Sequence, residues 1–177
     1  MHRSTLPHIR TLTALEDRHL DELVEVLTDW VVGGASISFM LPFPREHALR
    51  FWRGIADDVR AGRRILLIAE DDRGICGTVQ LNCDLPENQP HRADLCKMLV
   101  HRRARRRGIG EALMRAAETA AREAGKTLLV LDAVTNGDAA RLYQRLGWVR
   151  VGDIPNFALY PDGRPVGTTY FYRDLRC

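Results

Sequence analysis

The run Arg105-Arg106-Arg107-Gly108-Ile109-Gly110 has the residue types of an anion-binding turn. Leu95 to Val100, just before it, is apolar and reads as a strand; Ile109 to Ala121, with Ile109, Leu113 and Ala116 on one side, reads as a helix. A turn that opens a helix presents backbone N–H groups without partners, and the helix dipole adds partial positive charge. Gly108 and Gly110 let the backbone come close to a ligand. Pyrophosphate suits such a turn, and Arg105, Arg106 and Arg107 add long-range attraction for it. The spacing is not the six-residue glycine pattern of dinucleotide folds, and no Gly-Lys-Ser/Thr follows to make a P-loop. The alternative is an arginine-rich surface turn.

Two carboxylates are placed for proton transfer. Asp94 opens the strand that feeds the turn, and Asp132 ends the next apolar strand, just before Thr135-Asn136. Ligands of open sheets gather at strand ends, and parallel neighbours would bring both carboxylates to one cleft. One could accept a proton while the other anchors a positive group. The alternatives are a surface charge at Asp94 and a helix cap at Asp132.

The elements that position these residues follow from periodicity and turn signals. His8 to Ala14 reads as a strand, and Glu16 to Val32 as a helix with Leu20, Leu23, Val24, Leu27, Trp30 and Val31 at helical spacing. Gly33-Gly34 stops it. Pro44 opens a second helix carrying Ala48, Trp52, Ile55 and Val59, which Gly62 ends. Ile65 to Ala69 and Ile75 to Cys83, joined by Asp71-Asp72-Arg73-Gly74, read as a hairpin. After the phosphate turn and its helix come a strand from Thr127 to Leu131 and a short helix from Ala139 to Leu146. Strands at Trp148 to Val151 and Thr168 to Tyr172 flank a loop with Pro161-Asp162-Gly163. Strands separated by helices predict an α/β (α+β) fold, and the early hairpin with later crossovers predicts a mixed sheet.

Arg-x-x-Gly-x-Gly resembles the coenzyme A pyrophosphate loop of the GNAT superfamily of N-acetyltransferases. Asn136-Gly137-Asp138-Ala139-Ala140-Arg141-Leu142-Tyr143, followed by Gly147-Trp148, is similar to a second GNAT segment, in the expected order. Further segments resemble tabtoxin resistance acetyltransferases across most of the chain. They are Gly33-Gly34-Ala35-Ser36 with Phe39-Met40, Arg92-Ala93-Asp94, Leu131-Asp132, and Pro161-Asp162-Gly163-Arg164 with Tyr170-Phe171.

The resemblance implies the GNAT fold, a twisted mixed β-sheet flanked by helices, with acetyl-CoA as cosubstrate. It implies that the backbone of Met98, Leu99 and Val100 pairs with the pantetheine arm, the Val100 amide donating to the thioester oxygen. Arg105 to Gly110 would hold the pyrophosphate; Asn136 and Ala139 would also face the cofactor. Tyr143 becomes the candidate general acid, because a phenol with an ordinary pKa of about 10 is protonated at neutral pH. Its alternative is a helix tyrosine packed on the sheet. Asn136 could equally be an ordinary turn residue. The likeness strengthens Asp94 and Asp132 as bases or amine anchors. Ser36, Ser38 and Phe39 are candidates to line the acceptor pocket; otherwise Gly33 to Met40 merely links two helices. Two positions depart from the family pattern: Arg102 stands where Pro is common, and Arg106 where Gly is common.

Composition bounds the rest. A chain of 177 residues, 45% hydrophobic and 28% charged, suits a single domain with its own core. No stretch is apolar enough for a membrane span. The N-terminus lacks the pattern of a secretory signal, so a cytoplasmic location is expected. Cys76, Cys83, Cys96 and Cys177 match no zinc spacing, so no metal is expected. The net charge of +3 is mild, and no aromatics interleave with the arginines from 102 to 107, which argues against nucleic acid. The expected activity is acetyl transfer to a small amine by direct attack in a ternary complex, the acceptor resembling an amino acid or a tabtoxinine-β-lactam-like toxin. Its rivals are a GNAT acting on an aminoglycoside, polyamine or protein N-terminus, and a coenzyme A-binding module without turnover. A homodimer is compatible with the fold.

Overall fold

The computed structural model describes residues 7–176, so Cys177 lies outside the described residues. Its seven strands are β1 (His8–Leu12), β2 (Arg64–Asp71), β3 (Gly74–Asn82), β4 (Arg92–Val100), β5 (Leu128–Val134), β6 (Val149–Leu159) and β7 (Pro165–Asp174). They form one sheet in the order β1-β2-β3-β4-β5-β7-β6. Only the β4–β5 pair is parallel; the other five pairings are antiparallel. The expected mixed sheet is therefore present, flanked by helices.

The helices divide between the two faces. Helices α1 (Asp17–Val32) and α2 (Arg45–Arg60) pack on one face through Leu23, Val24, Leu27, Val31 and Trp52, against Leu66, Ile68 and Leu99. Helices α3 (Ile109–Glu123) and α4 (Asp138–Arg145) cover the other through Leu113, Met114, Ala117 and Tyr143, against Val79, Leu81, Leu131 and Phe171. A sheet covered on both faces needs strands apolar on both sides, and seven consecutive residues of β3, Ile75 to Leu81, are buried. Gly77 lets α3 settle on that strand: a Cβ there would stand 3.0 Å from Leu113 Cδ1 and 3.2 Å from the Leu99 carbonyl. Among the described residues, no helix is long and apolar enough to cross a membrane.

Several strands run further than their composition suggests. β5 continues through Asp132 to Val134 because β7 pairs with it along its whole length, Asp132 opposite Tyr170. Asp132 is thus not the end of its strand, and α4 is capped by Gly137 instead. β4 begins at Arg92, so Asp94 is its third residue rather than its first. β6 and β7 form a long hairpin closed by residues 160–164, and β6 reaches Leu159 in place of Val151. As the edge strand it tolerates the register shift between Ile154 and Ala158, where Pro155 and Asn156 interrupt the ladder.

Two irregularities of β4 shape the centre of the sheet. Its register against β3 shifts between Thr78 and Gln80, so that Lys97 and Met98 oppose the single residue Val79. Lys97 takes a φ of 51° in this bulge. The extra residue resets the alternation: Ala93 and Leu95 face the α3 side before it, Leu99 faces the α1 side after it. The second irregularity is on the other edge. The parallel ladder with β5 consists of Arg92, Ala93 and Asp94 opposite Leu128, Leu129 and Val130. Among the described residues it goes no further, although β4 runs on to Val100 and β5 to Val134.

Candidate active site

The wedge where β4 leaves β5 is bordered by the predicted anion turn. Gly108 takes a φ of 76° and caps α3. The first helical bond runs from the Ala112 N–H to the Gly108 carbonyl, so the amides of Ile109, Gly110 and Glu111 have no partner within the helix. A Cβ on Gly110 would lie 3.3 Å from Leu142 Cδ2 and 3.6 Å from Met98 Sδ. The start of α3, the bulge of β4 and helix α4 therefore meet at one point.

Val100, the last residue of β4, faces the wedge with its peptide groups. The next amide, of His101, donates to the Cys76 carbonyl of β3 at 2.9 Å. Alternation along a strand then directs the N–H and C=O of Val100 away from β3. Its carbonyl accepts from Trp30 Nε1 at 2.9 Å and from Arg105 Nε at 3.0 Å. The Arg105 guanidinium lies over the Trp30 ring, 4.4 Å from its centroid. The Val100 amide is the group left toward the wedge.

The arginines are arranged differently from a simple cationic patch. Arg102 and Arg105 turn to Asp29 of α1, whose carboxylate is 5% exposed. Asp29 also accepts the Arg102 backbone N–H at 2.9 Å. Arg102, in the place where the family commonly has Pro, is thus anchored to α1. Arg103 makes two bonds to Asp71, at 2.7 and 2.8 Å, and Arg107 lies 3.5 Å from the same carboxylate. Arg106 is exposed, with a φ of 64°. Most of this charge fastens the turn to α1 and β2, leaving backbone amides as the groups presented at the start of α3.

Burial alone would raise the pKa of Asp71, but the Arg103 bonds, the Arg73 backbone N–H and the charges of Arg103 and Arg107 together outweigh it and hold the carboxyl below its ordinary value. A group depressed by folding contributes stability that is whole above its unfolded pKa of about 4 and is lost as pH falls through the folded value. Acid should therefore release the turn from β2. Thermal melts between neutral pH and about pH 3 should lose stability less steeply in Asp71→Asn than in the parent protein. Parallel curves would assign the acid sensitivity elsewhere.

The candidate catalytic side chains stand on the strands and helix that border the wedge. In β5 and β7, Leu129, Leu131 and Phe171 enter the α3-side core, so alternation puts Asp132 and Tyr170 on the opposite face, with Asp94. Thr168 Oγ1 donates to Asp132 Oδ2 at 2.7 Å. Asp94 pairs with Arg92. Burial raises the Tyr170 phenol, and the charges of Asp132 and Asp94 raise it further. Tyr143, 5% exposed on α4, packs against Trp148 and Phe171 at centroid distances of 6.1 and 5.9 Å. Its phenol is raised well above the ordinary value by burial, and further by Asp132.

The loop between α1 and α2 approaches from the other side. Ser36 Oγ donates to the Leu159 carbonyl at 2.7 Å, tying the loop to β6. Ser38 accepts from Lys97 Nζ at 3.1 Å. Phe39 is fixed by Phe43 and Phe51, at 4.9 and 5.2 Å between centroids. Asn136 is exposed, and its carbonyl accepts from Arg141 at 2.8 Å. Ala139 packs against the α3-side core. Sequence reasoning missed Lys97, Tyr170, Thr168 and Asp29. Lys97 had a signal, as the one charge within Leu95 to Val100; the others depend on contacts distant in the chain.

The open strand edge, the helix amides without intrahelical partners and a glycine whose added Cβ would crowd Leu142 suit an extended, phosphorylated ligand. Comparison with known proteins identifies the family. The profile of the acetyltransferase (GNAT) domain matches residues 62–150. A protein of Azospirillum brasilense, described as an uncharacterized N-acetyltransferase in the hisH-hisA intergenic region, is 30% identical over 126 residues, 70% of this chain and 73% of that protein. The chain belongs to the GNAT acetyltransferase family. Solved structures share the fold at lower identity. The protein yncA of Salmonella typhimurium, described as a putative acetyltransferase and determined with its cofactor acetyl-CoA, is 18% identical with a TM-score of 0.78, covering 96% of this chain and 94% of that one. The ribosomal-protein-alanine N-acetyltransferase of Brucella melitensis is 21% identical with a TM-score of 0.79, covering 94% and 99%.

Proposed function

We propose that the protein is an acetyl-CoA-dependent N-acetyltransferase of small amines, working by direct transfer in a ternary complex. The observation that carries this reading is the coincidence, at one end of the β4–β5 ladder, of the α3 amides with Tyr143 and Asp132. Acetyl-CoA supplies the activated acetyl group as a thioester. The α3 amides and Gly108 to Gly110 would hold its pyrophosphate. The free edge of Met98 to Val100 would hold its arm, with the Val100 amide placed for the carbonyl oxygen. The amine forms its bond to carbon as the carbon–sulfur bond breaks; Asp132 or Asp94 takes the ammonium proton, and Tyr143 Oη gives one to the leaving sulfur. The protein holds both partners in line and forms no covalent bond of its own.

The test is turnover against tabtoxinine-β-lactam, free amino acids, polyamines, aminoglycosides and peptide N-termini, read by product mass. Acetylation of an amino acid or the lactam is the expected result. Transfer only to a polyamine, an aminoglycoside or a peptide would change the acceptor. Bound acetyl-CoA without any transfer would make the protein a binding module. With an acceptor in hand, the acidic limb of the pH–rate profile should shift in Asp132→Asn or Asp94→Asn. Unchanged limbs in both would remove the carboxylates from proton transfer.

A further inference from the structure

The face of the sheet that carries Asp132 also carries a cation held in a marked way. Lys97 sits in the β4 bulge, where its φ of 51° departs from the strand. Its ammonium donates to Ser38 Oγ at 3.1 Å and lies 5.8 Å from the centroid of the Phe39 ring. An ammonium has three donors, and Ser38 takes one. Among the described residues Lys97 has no ion-pair partner, and neither has Asp132. The lysine is partly buried, and withdrawal from water pushes its pKa down; the Asp132 charge opposes that shift, and Arg64 adds to it. Asp132 is thus electrostatically coupled to Lys97 as it is to Tyr143 and Tyr170. One strand inward, Gln80 pairs with Cys96 in the β3–β4 register, and its buried Nε2 has no partner among the described residues. Partly desolvated and without an ion-pair partner, such a cation costs free energy that an anion would return.

We propose that Lys97 binds an anionic group of the acceptor, so that the acceptor is a small zwitterionic amine of the amino-acid type. Its ammonium lies toward Asp132 and Tyr143, its carboxylate or equivalent oxyanion toward Lys97 and Ser38. Phe39, held by its aromatic neighbours, walls the space between. The inference rests on the acetyltransferase reading and narrows its acceptor. Lys97 acts by recognition, so its removal should raise the acceptor KM far more than it lowers kcat.

The experiment compares free L-amino acids with the matching L-amino-acid amides, in the parent protein, Lys97→Met and Lys97→Arg. Circular dichroism and the acetyl-CoA KM check that each variant is folded and binds its cosubstrate. The parent should prefer the free acids. Lys97→Met should lose about 10- to 100-fold in kcat/KM for the acids, chiefly through KM, and little for the amides. Lys97→Arg should recover part of the preference. An intact preference in Lys97→Met, or an equal loss of kcat on acids and amides, overturns the assignment of Lys97. Transfer only to amines that carry no anion overturns it while leaving the acetyltransferase reading in place. No transfer to any amine, with acetyl-CoA bound, overturns both.

Discussion

Replacing Tyr143 by phenylalanine should lower kcat by about 100- to 1,000-fold and leave the acetyl-CoA KM within about twofold. The substitution removes one oxygen from a buried ring whose packing partners, Trp148 and Phe171, are untouched, so the fold should survive. What is lost is the proton for the leaving sulfur. The raised pKa of Tyr143 bears on how that proton is delivered. Burial contributes most of the shift and the Asp132 charge the rest. If Asp132 is the base, its protonation would remove that contribution and make the phenol a stronger acid as the thiolate forms. The phenol stays protonated throughout the neutral and mildly alkaline range. An alkaline limb below about pH 9 therefore belongs to another group, and it should persist unchanged if any residual Tyr143→Phe activity is titrated. Full turnover in Tyr143→Phe would leave the tyrosine a packing residue and nothing more.

Asp29→Ala should cost about 2–3 kcal/mol of folding stability and also weaken acetyl-CoA binding. The carboxylate holds the Arg102 backbone N–H, the Arg102 side chain and the Arg105 guanidinium, joining α1 to the turn before α3. The upper end of the usual range for breaking a buried pair does not apply, because both arginines are exposed enough to regain water. Arg105 also braces the Val100 carbonyl alongside Trp30, so loosening it disturbs the strand end whose amide faces the wedge. Denaturant melts and acetyl-CoA calorimetry on the same variant read the two effects separately. A loss of stability without any loss of affinity would make Asp29 a tether of the fold alone.

The parts of this site that were legible in the sequence are those encoded locally. Gly108 marks the turn by its left-handed backbone, which glycine adopts most readily, and Gly110 by a position where an added Cβ would crowd Leu142 and Met98. Tyr143 was legible through the segment around it, not through its own chemistry. Asp132 was legible as a candidate but misplaced as a strand end. A charge usually closes an apolar run; here β7 supplies Tyr170 opposite it and the Thr168 hydroxyl beside it, and the strand continues. The bulge at Lys97 was illegible because the residue that breaks the alternation is identified only by the register of β3. The arginine cluster read as attraction for phosphate. Its partners Asp29 and Asp71 lie 73 and 32 positions from Arg102 and Arg103, beyond what periodicity can connect.

The separation of β4 from β5 also bears on the protein before it meets a ligand. Strand edges in a sheet's interior are ordinarily paired, and an unpaired one is exposed to any extended segment that can add to it. Here the gap lies between two central strands, where it weakens the seam joining β1 to β4 with β5 to β7. A cosubstrate lying along Met98 to Val100 would close that seam by hydrogen-bonding as a missing strand does. Its binding free energy would then be drawn on twice, once to position a reacting group and once to hold the two halves of the sheet together. On that reading acetyl-CoA should raise the melting temperature in proportion to the logarithm of its concentration, by stabilising the sheet as well as filling the site.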